Sequence, residues 1–175
     1  MTDAFTAHFR MFALYNRWAN QRLYQAALQL PAESFTRDCG AFFTSLSGTL
    51  NHLLLTDRMW LARLEGQAPR GGRLDEILYP RLEDLASARR REDDRLLDYI
   101  YGLPGERLSE TLNYSTTAGI EMAQPLHQVL AHIFNHQTHH RGQAHDLICR
   151  LAGPAKAPVL DLIAYQRIAA LSEPA

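Results

Sequence analysis

Apolar side chains recur every three or four residues along four long stretches of the chain, a spacing typical of amphipathic helices. The four predicted helices run over about Asp3–Leu30, Phe43–Glu65, Leu82–Tyr101 and Pro125–Leu151. A proline or glycine that can end a helix follows each one: Pro31, Gly66, Gly102 and Gly153. Four such helices in 175 residues, a length that fits one domain over residues 1–175, predict an all-α helix bundle.

Two shorter elements are predicted between and after these helices. TLNYSTTAGIEMAQ, residues 111–124, contains Thr, Tyr and a central Gly, which favour a short hairpin or an extended loop. A fifth, shorter helix is predicted over about Val159–Leu171, and residues 66–80 are predicted to be a Gly- and Pro-containing loop. The chain contains no internal repeat, so a repeat architecture is not expected.

Charge and hydropathy exclude several classes of protein. The net charge is −1, and the densest basic cluster, Arg89–Arg91, is followed at once by three acidic residues, Glu92–Asp94. This pattern is typical of a solvated helix face and not of a nucleic-acid-binding surface. No apolar run is long enough to span a bilayer, and the first twelve residues lack the apolar core of a signal peptide. We therefore expect a cytoplasmic protein that binds neither membranes nor nucleic acid.

Four of the eight histidines lie within HIFNHQTHHRGQ, residues 132–143. Because each residue advances about 100° around a helix, His132, His136 and His140 share one stripe. Histidines at positions i and i+4 can point two imidazoles at one ion, as HExxH helices do. Gln137 stands where such a helix has its catalytic glutamate, so a metalloprotease is not predicted. Surface histidines are equally compatible with this spacing.

A metal site needs at least a third protein ligand, and His52 in NHLLLTDRMW is a candidate on the second helix. It lies among leucines on or beside the face that should pack inward. One interpretation is a core histidine whose hydrogen bond is made by a backbone carbonyl or by Asp57. The other is that facing helices bring His52 opposite His136 and His140.

Four stretches together resemble the DinB family: YNRWAN at 15–20, RDCGAFFTSLSGTLNHLLLTDRMWLARLEG at 37–66, HIFNHQTHHRGQAHDLI at 132–148 and VLDLIAYQR at 159–167. The resemblance covers most of the chain in the right order. It implies an antiparallel four-helix bundle, assembled as a homodimer, with a three-histidine site for a divalent metal ion, usually zinc or nickel. Carried onto this sequence, the implied ligands are His52, His136 and His140.

Three neutral imidazoles leave a coordination position open, which is the pattern of catalytic and not of structural zinc sites. Related branches of the family include S-transferases and isomerases that use thiols such as bacillithiol or mycothiol. The resemblance therefore implies a metal-dependent enzyme of thiol S-transferase type, with a small-molecule thiol or electrophile as its partner. A metal-binding stress-response protein without turnover and a metal-dependent hydrolase are the alternatives. No catalytic or thiol-binding residue is predicted.

Several neighbours of the implied ligands also have expected roles. Three amide side chains could orient the imidazoles: Asn51, Asn135 and Gln143. His132 could line the cavity, and His139 is expected to pack or hydrogen-bond nearby. Arg141 is expected either to pair with an acid such as Asp57 or to be solvated. Gly142, in the middle of a helix, is interpreted as a point of close helix approach.

Overall fold

The computed structural model describes residues 4–68 and 72–172, and its elements follow the predicted order. The helices are α1 Ala4–Ala27, α2 Ala32–Thr36, α3 Leu46–Leu64, α4 Leu82–Gly102, α5 Leu126–Ala152 and α6 Leu162–Ser172. An antiparallel hairpin of β1 Thr111–Ser115 and β2 Glu121–Pro125 precedes α5. Asp3, the predicted first helical residue, and residues 69–71 of the predicted loop lie outside the described residues. In the described ranges, no helix has both the length and the apolarity to cross a bilayer.

The four long helices form the predicted bundle, so the all-α fold class is confirmed. α1 packs against α4 and α5, and α3 packs against the same two helices from the other side. α1 and α4 run antiparallel, because Arg10 reaches the carbonyl of Tyr101 whereas Asn20 contacts Asp93. α3 and α5 are also antiparallel, and this pair carries the candidate metal ligands.

The other two neighbouring pairs of helices, α1 with α5 and α3 with α4, run parallel. The α3–α4 pair needs a long connection. Asp57 contacts Arg89, and further along the same two helices the hydroxyl of Tyr99 approaches the carbonyl of Leu64, so α3 and α4 point the same way. The chain must therefore return along the bundle between them. We call the described part of this connection, residues 65–68 and 72–81, the crossover segment.

Polar side chains of α3 fix the end of the crossover segment. The Asn51 side chain accepts a hydrogen bond from the backbone N–H of Tyr79 at 2.9 Å and donates one to its carbonyl at 3.1 Å. Arg58 donates to the Tyr79 hydroxyl at 3.2 Å. Asn51 therefore holds the crossover segment and does not orient an imidazole, which makes the expected role of Asn51 wrong.

A buried polar layer separates two apolar core clusters, one at each end of the bundle. At its centre Arg89, which is 2 % exposed, contacts Asp57 at 2.8 Å and Asp93 at 3.0 Å. Arg141 hydrogen-bonds the side chains of Asn16 and other polar residues instead of an acid. The expected pair of Arg141 with Asp57 is therefore wrong, because Arg89 already occupies that carboxylate. Buried charges of this kind require close partners, and the layer supplies them.

Candidate metal centre

Three imidazoles converge between α3 and α5. One nitrogen each from His52, His136 and His140 forms a group whose atoms all lie within 4.8 Å of one another. The Nε2 atoms of His52 and His136 are 3.3 Å apart, and the ring centroid of His140 lies 4.6 Å from that of His52 and 4.4 Å from that of His136. His136 and His140 meet because they are one turn apart, and His52 joins them because α3 faces α5.

Hydrogen bonds to the second ring nitrogen orient two of the three imidazoles. His52 Nδ1 lies 2.8 Å from the carbonyl oxygen of Leu74 in the crossover segment, and His140 Nδ1 lies 2.7 Å from Gln143 Oε1. With Nδ1–H donating in both cases, Nε2 is the nitrogen left with a free lone pair. Gln143 thus has the orienting position expected of it, whereas Asn135 is exposed and makes no such contact among the described residues.

Phe43 forms one wall of the histidine cluster. Its ring stacks on His52 with centroids 4.0 Å apart and lies edge-on to His140 at 5.6 Å. Gly48 leaves room for the backbone of Phe43 at this position, because a Cβ on residue 48 would lie only 2.0 Å from the Phe43 carbonyl oxygen. Ser45 caps α3 by accepting a hydrogen bond from the Gly48 N–H at 3.1 Å. The sequence analysis missed Phe43, whose position before a helix start carries no periodic signal.

Burial keeps the three imidazoles neutral. Desolvation lowers the pKa of His52 and of His140 below the ordinary histidine value. Desolvation, followed by the charges that His140 and His52 would carry, lowers the pKa of His136 to about 3. A proton on one ring would repel a proton on the next, so the cluster presents uncharged nitrogen donors at neutral pH. Neutral imidazole is the form that binds a metal ion.

The remaining described histidines lie outside the cluster. His132 is exposed and packs on Trp60 and on His136, with centroid distances of 5.1 and 5.8 Å. His139 is exposed, packs on His140 and lies within hydrogen-bonding distance of Gln143, in line with its expected role. The rings of the other two on α5 have partners elsewhere, Leu108 for His127 and Cys149 for His145.

The environment of the cluster lacks a free carboxylate. No Asp or Glu of the described ranges joins the three histidines. The nearest acid along α3, Asp57, is buried and paired with Arg89. Gln137, at the position of the HExxH glutamate, is fully buried and interacts with Asp57, so it faces the core. The arrangement can hold a metal ion, but within the described ranges it places no carboxylate beside it.

Gly142 does not mark close helix approach, so that interpretation is wrong. A Cβ at this exposed position would meet no described atom within 4 Å. Its neighbours Arg141 and Gln143 carry the structural roles in this turn of α5, one in the buried polar layer and one at His140.

Comparison with known proteins identifies the family of the chain. The sequence model of the DinB family matches residues 1–174. A Bacillus subtilis (strain 168) protein named "Protein DinB" is 28% identical over 150 residues, which span 82% of this chain and 86% of that protein. The family match extends over nearly the whole chain, including the three histidines, and the chain therefore belongs to the DinB family.

Proposed function

We propose that His52, His136 and His140 hold one divalent metal ion per chain, zinc or nickel, and that the site serves a thiol S-transferase acting with a low-molecular-weight thiol. The observation that carries the metal site is the convergence of three uncharged imidazoles within 4.8 Å. Three nitrogen donors are a complete protein ligand set for an open, catalytic zinc site. Membership of the DinB family supports the same ligand set.

A divalent ion with an open position would stabilise a thiolate at neutral pH, where a free thiol is mostly protonated. The residues of this chain have separate tasks in the proposed site. Leu74 and Gln143 fix the ring orientations through Nδ1, and Phe43 covers one side of His52 and excludes water there. Since soft thiolate is a good ligand for zinc and nickel, the donor set suits a thiol partner.

Hydrolysis is the weaker alternative because the described site offers no carboxylate that could accept a proton from the attacking water or deliver one to the leaving group. The described ranges offer no carboxylate in the histidine cluster, and Asp57 is committed to Arg89. A thiol has a pKa near roughly 8.5, well below that of water, so a cation has to lower it far less to give the anion at neutral pH. Metal binding without turnover is the other alternative. The homodimer implied by the family resemblance stays a prediction, which light scattering tests.

The experiment that tests the transferase proposal uses cobalt in place of the native ion, because zinc has no useful absorption. Adding bacillithiol, mycothiol or glutathione to the cobalt protein should produce a sulfur-to-metal charge-transfer band with at least one of them. The same protein should then conjugate that thiol to a haloarene faster than the thiol reacts alone. His136→Ala should abolish both signals, and His127→Ala, a control outside the cluster, should retain them.

A fully metallated protein that binds none of these thiols and accelerates no conjugation would contradict the transferase proposal. Metal binding without turnover would then be the better assignment. A cobalt protein that hydrolyses an activated ester but ignores thiols would instead favour the hydrolase.

A further inference from the structure

A cavity separate from the histidine cluster lies between the C-terminal end of α3, the residues just after it and the β1–β2 hairpin. Its volume is about 520 Å³, and none of the three clustered histidines lines it. The hairpin contributes mostly polar side chains to the wall, and α3 contributes a single cation, Arg63. The hairpin residues that matter here are Asn113, Tyr114, Ser115, Thr116 and Glu121. The cavity therefore combines one positive charge with hydrogen-bonding groups.

Arg63 is a buried cation that has no acidic partner among the described residues. Only 6 % of its surface is exposed, and in the described ranges no carboxylate pairs with it. Arg89, the comparable buried arginine, has two carboxylates within 3.0 Å. Burial accordingly lowers the pKa of Arg63, as expected for a cation that lacks a compensating anion. A protein rarely buries a charge in this way, since its desolvation is costly.

Three contacts hold the Arg63 guanidinium in place. Its Nε–H donates to the backbone carbonyl of Ser115 at 3.1 Å, and its central carbon lies 4.6 Å from the Trp60 ring centroid and 5.2 Å from the Tyr114 ring centroid. The two rings cover the guanidinium without neutralising it. With Nε committed to Ser115, the terminal amino groups are left for a ligand in the cavity.

We propose that this cavity binds the carboxylate group of a small organic acid through Arg63. A planar guanidinium held against two neighbouring aromatic rings matches a planar carboxylate, and charge-assisted hydrogen bonds of this kind are strong. Glu121 also lines the cavity, but it is exposed, accepts a hydrogen bond from the Ser115 hydroxyl and forms no ion pair with Arg63 among the described residues. Its charge disfavours a doubly charged phosphate more than a singly charged carboxylate. The hydroxyl and amide groups of the hairpin suit the polar atoms of such a ligand.

The carboxylate site lies on the same side of α3 as the histidine cluster. Eleven residues separate Arg63 from His52, which corresponds to about three turns and roughly 16 Å along the same helix face. Trp60 bridges this distance, with its ring 5.3 Å from that of Tyr114 and 5.1 Å from that of His132. An elongated acid anchored at Arg63 can therefore extend towards the histidines. The proposal itself rests on the cavity alone and needs no metal ion.

Calorimetric titration of the metal-free protein in chelator tests the carboxylate site. Benzoate, 3-phenylpropionate and hippurate are compared with their neutral amides and with phenyl phosphate. We expect at least one acid to bind about tenfold or more tightly than its amide, and more tightly than phenyl phosphate. Arg63→Met should remove the preference for the acid. Arg107→Met, which deletes an exposed arginine beside the hairpin, should keep it.

A second measurement needs no variant. The chain has two tryptophans, Trp18 and Trp60, and only the indole N–H signal of Trp60 should shift in nuclear magnetic resonance spectra as the acid saturates the protein. Arg63→Lys, which keeps the charge but loses the fork of donors, should bind the acid with intermediate affinity. The proposal is overturned if no acid saturates, if Arg63→Met keeps the preference, if phenyl phosphate binds more tightly, or if the Trp60 signal stays fixed. Because the protein is metal-free, failure of the metal proposal leaves this result unaffected.

Discussion

The methyl group of a Gly48→Ala variant would lie 2.0 Å from the carbonyl oxygen of Phe43 and 3.1 Å from two further Phe43 atoms. The nearest of these atoms belongs to the backbone, so no side-chain rotation can remove the clash. Either the first turn of α3 or the loop before it must move. Phe43 would then leave its stacked position on His52, 4.0 Å away. The substitution should therefore affect both the stability of the fold and the wall of the metal centre.

Overpacking of this kind costs about 1–3 kcal/mol in well-packed proteins. The gain in helix propensity from glycine to alanine, at most about 1 kcal/mol, offsets part of the cost. For a chain of this length, each kcal/mol corresponds to about 2–4 °C in Tm. Because the clash is with backbone, the upper part of that range applies, and we expect Gly48→Ala to lower the free energy of unfolding by a net value of about 1–2 kcal/mol and Tm by roughly 2–8 °C.

Gly142→Ala is the matched control, because it makes the same chemical change on the other helix of the site. A Cβ there meets no described atom within 4 Å, so only the gain in propensity remains. We expect Gly142→Ala to raise the free energy of unfolding by about 0.5–1 kcal/mol. Urea denaturation followed by circular dichroism, with chelator present so that bound metal does not contribute, measures both variants. A Gly48→Ala protein as stable as the parent, or a destabilised Gly142→Ala protein, would refute the reasoning.

Three further predictions concern the site and the buried layer. Gln143→Leu removes the acceptor for His140 Nδ1 and should weaken metal binding about 10–100-fold in competition with a chromogenic chelator; unchanged affinity would contradict the orienting role. The pKa of His136 is about 3 in the fold, below the ordinary unfolded value near 6.5. The unfolded metal-free chain thus binds more protons at this residue between these values. As the pH drops from 7.5 to 5.5, the free energy of unfolding measured in urea should therefore fall more steeply for the parent than for His136→Leu; equal slopes would argue against this. Arg89→Met leaves Asp57 without its cation and should cost roughly 3–5 kcal/mol by the same assay; a loss below 1 kcal/mol would be inconsistent with a tightly paired layer.

The long helices and one half of the site could be predicted from sequence because both depend on local spacing. His136 and His140 fall on one stripe through helix geometry alone. The turn residues before α5 predicted a hairpin or an extended loop, and the structure has the hairpin. α2 was not predicted, because its five residues are fewer than two turns and leave no periodic pattern. Local sequence patterns therefore predicted the long helices and the region of the hairpin, but not the short helix α2 in the connection between α1 and α3.

The contact of His52 with His136 joins residues 84 positions apart, and spacing cannot show which helices face each other. That depends on the crossover segment, which makes α3 and α4 parallel and leaves α3 beside α5. The resemblance to the DinB family supplied His52 where periodicity left two interpretations open. The expected partner of Arg141 was wrong for a similar reason. Its charge suggested an acid partner, but the sequence could not reveal that Arg89 already pairs with Asp57.

Metal content measured on purified, reconstituted and dialysed protein tests the central proposal most directly. The parent chain should retain one divalent ion per chain, and alanine at His52, His136 or His140 should each reduce the retained metal to a small fraction. His127→Ala should retain the full amount, because that ring bonds the Leu108 carbonyl outside the cluster. A His52→Ala protein that keeps one ion per chain at the parent affinity would contradict the proposed ligand set.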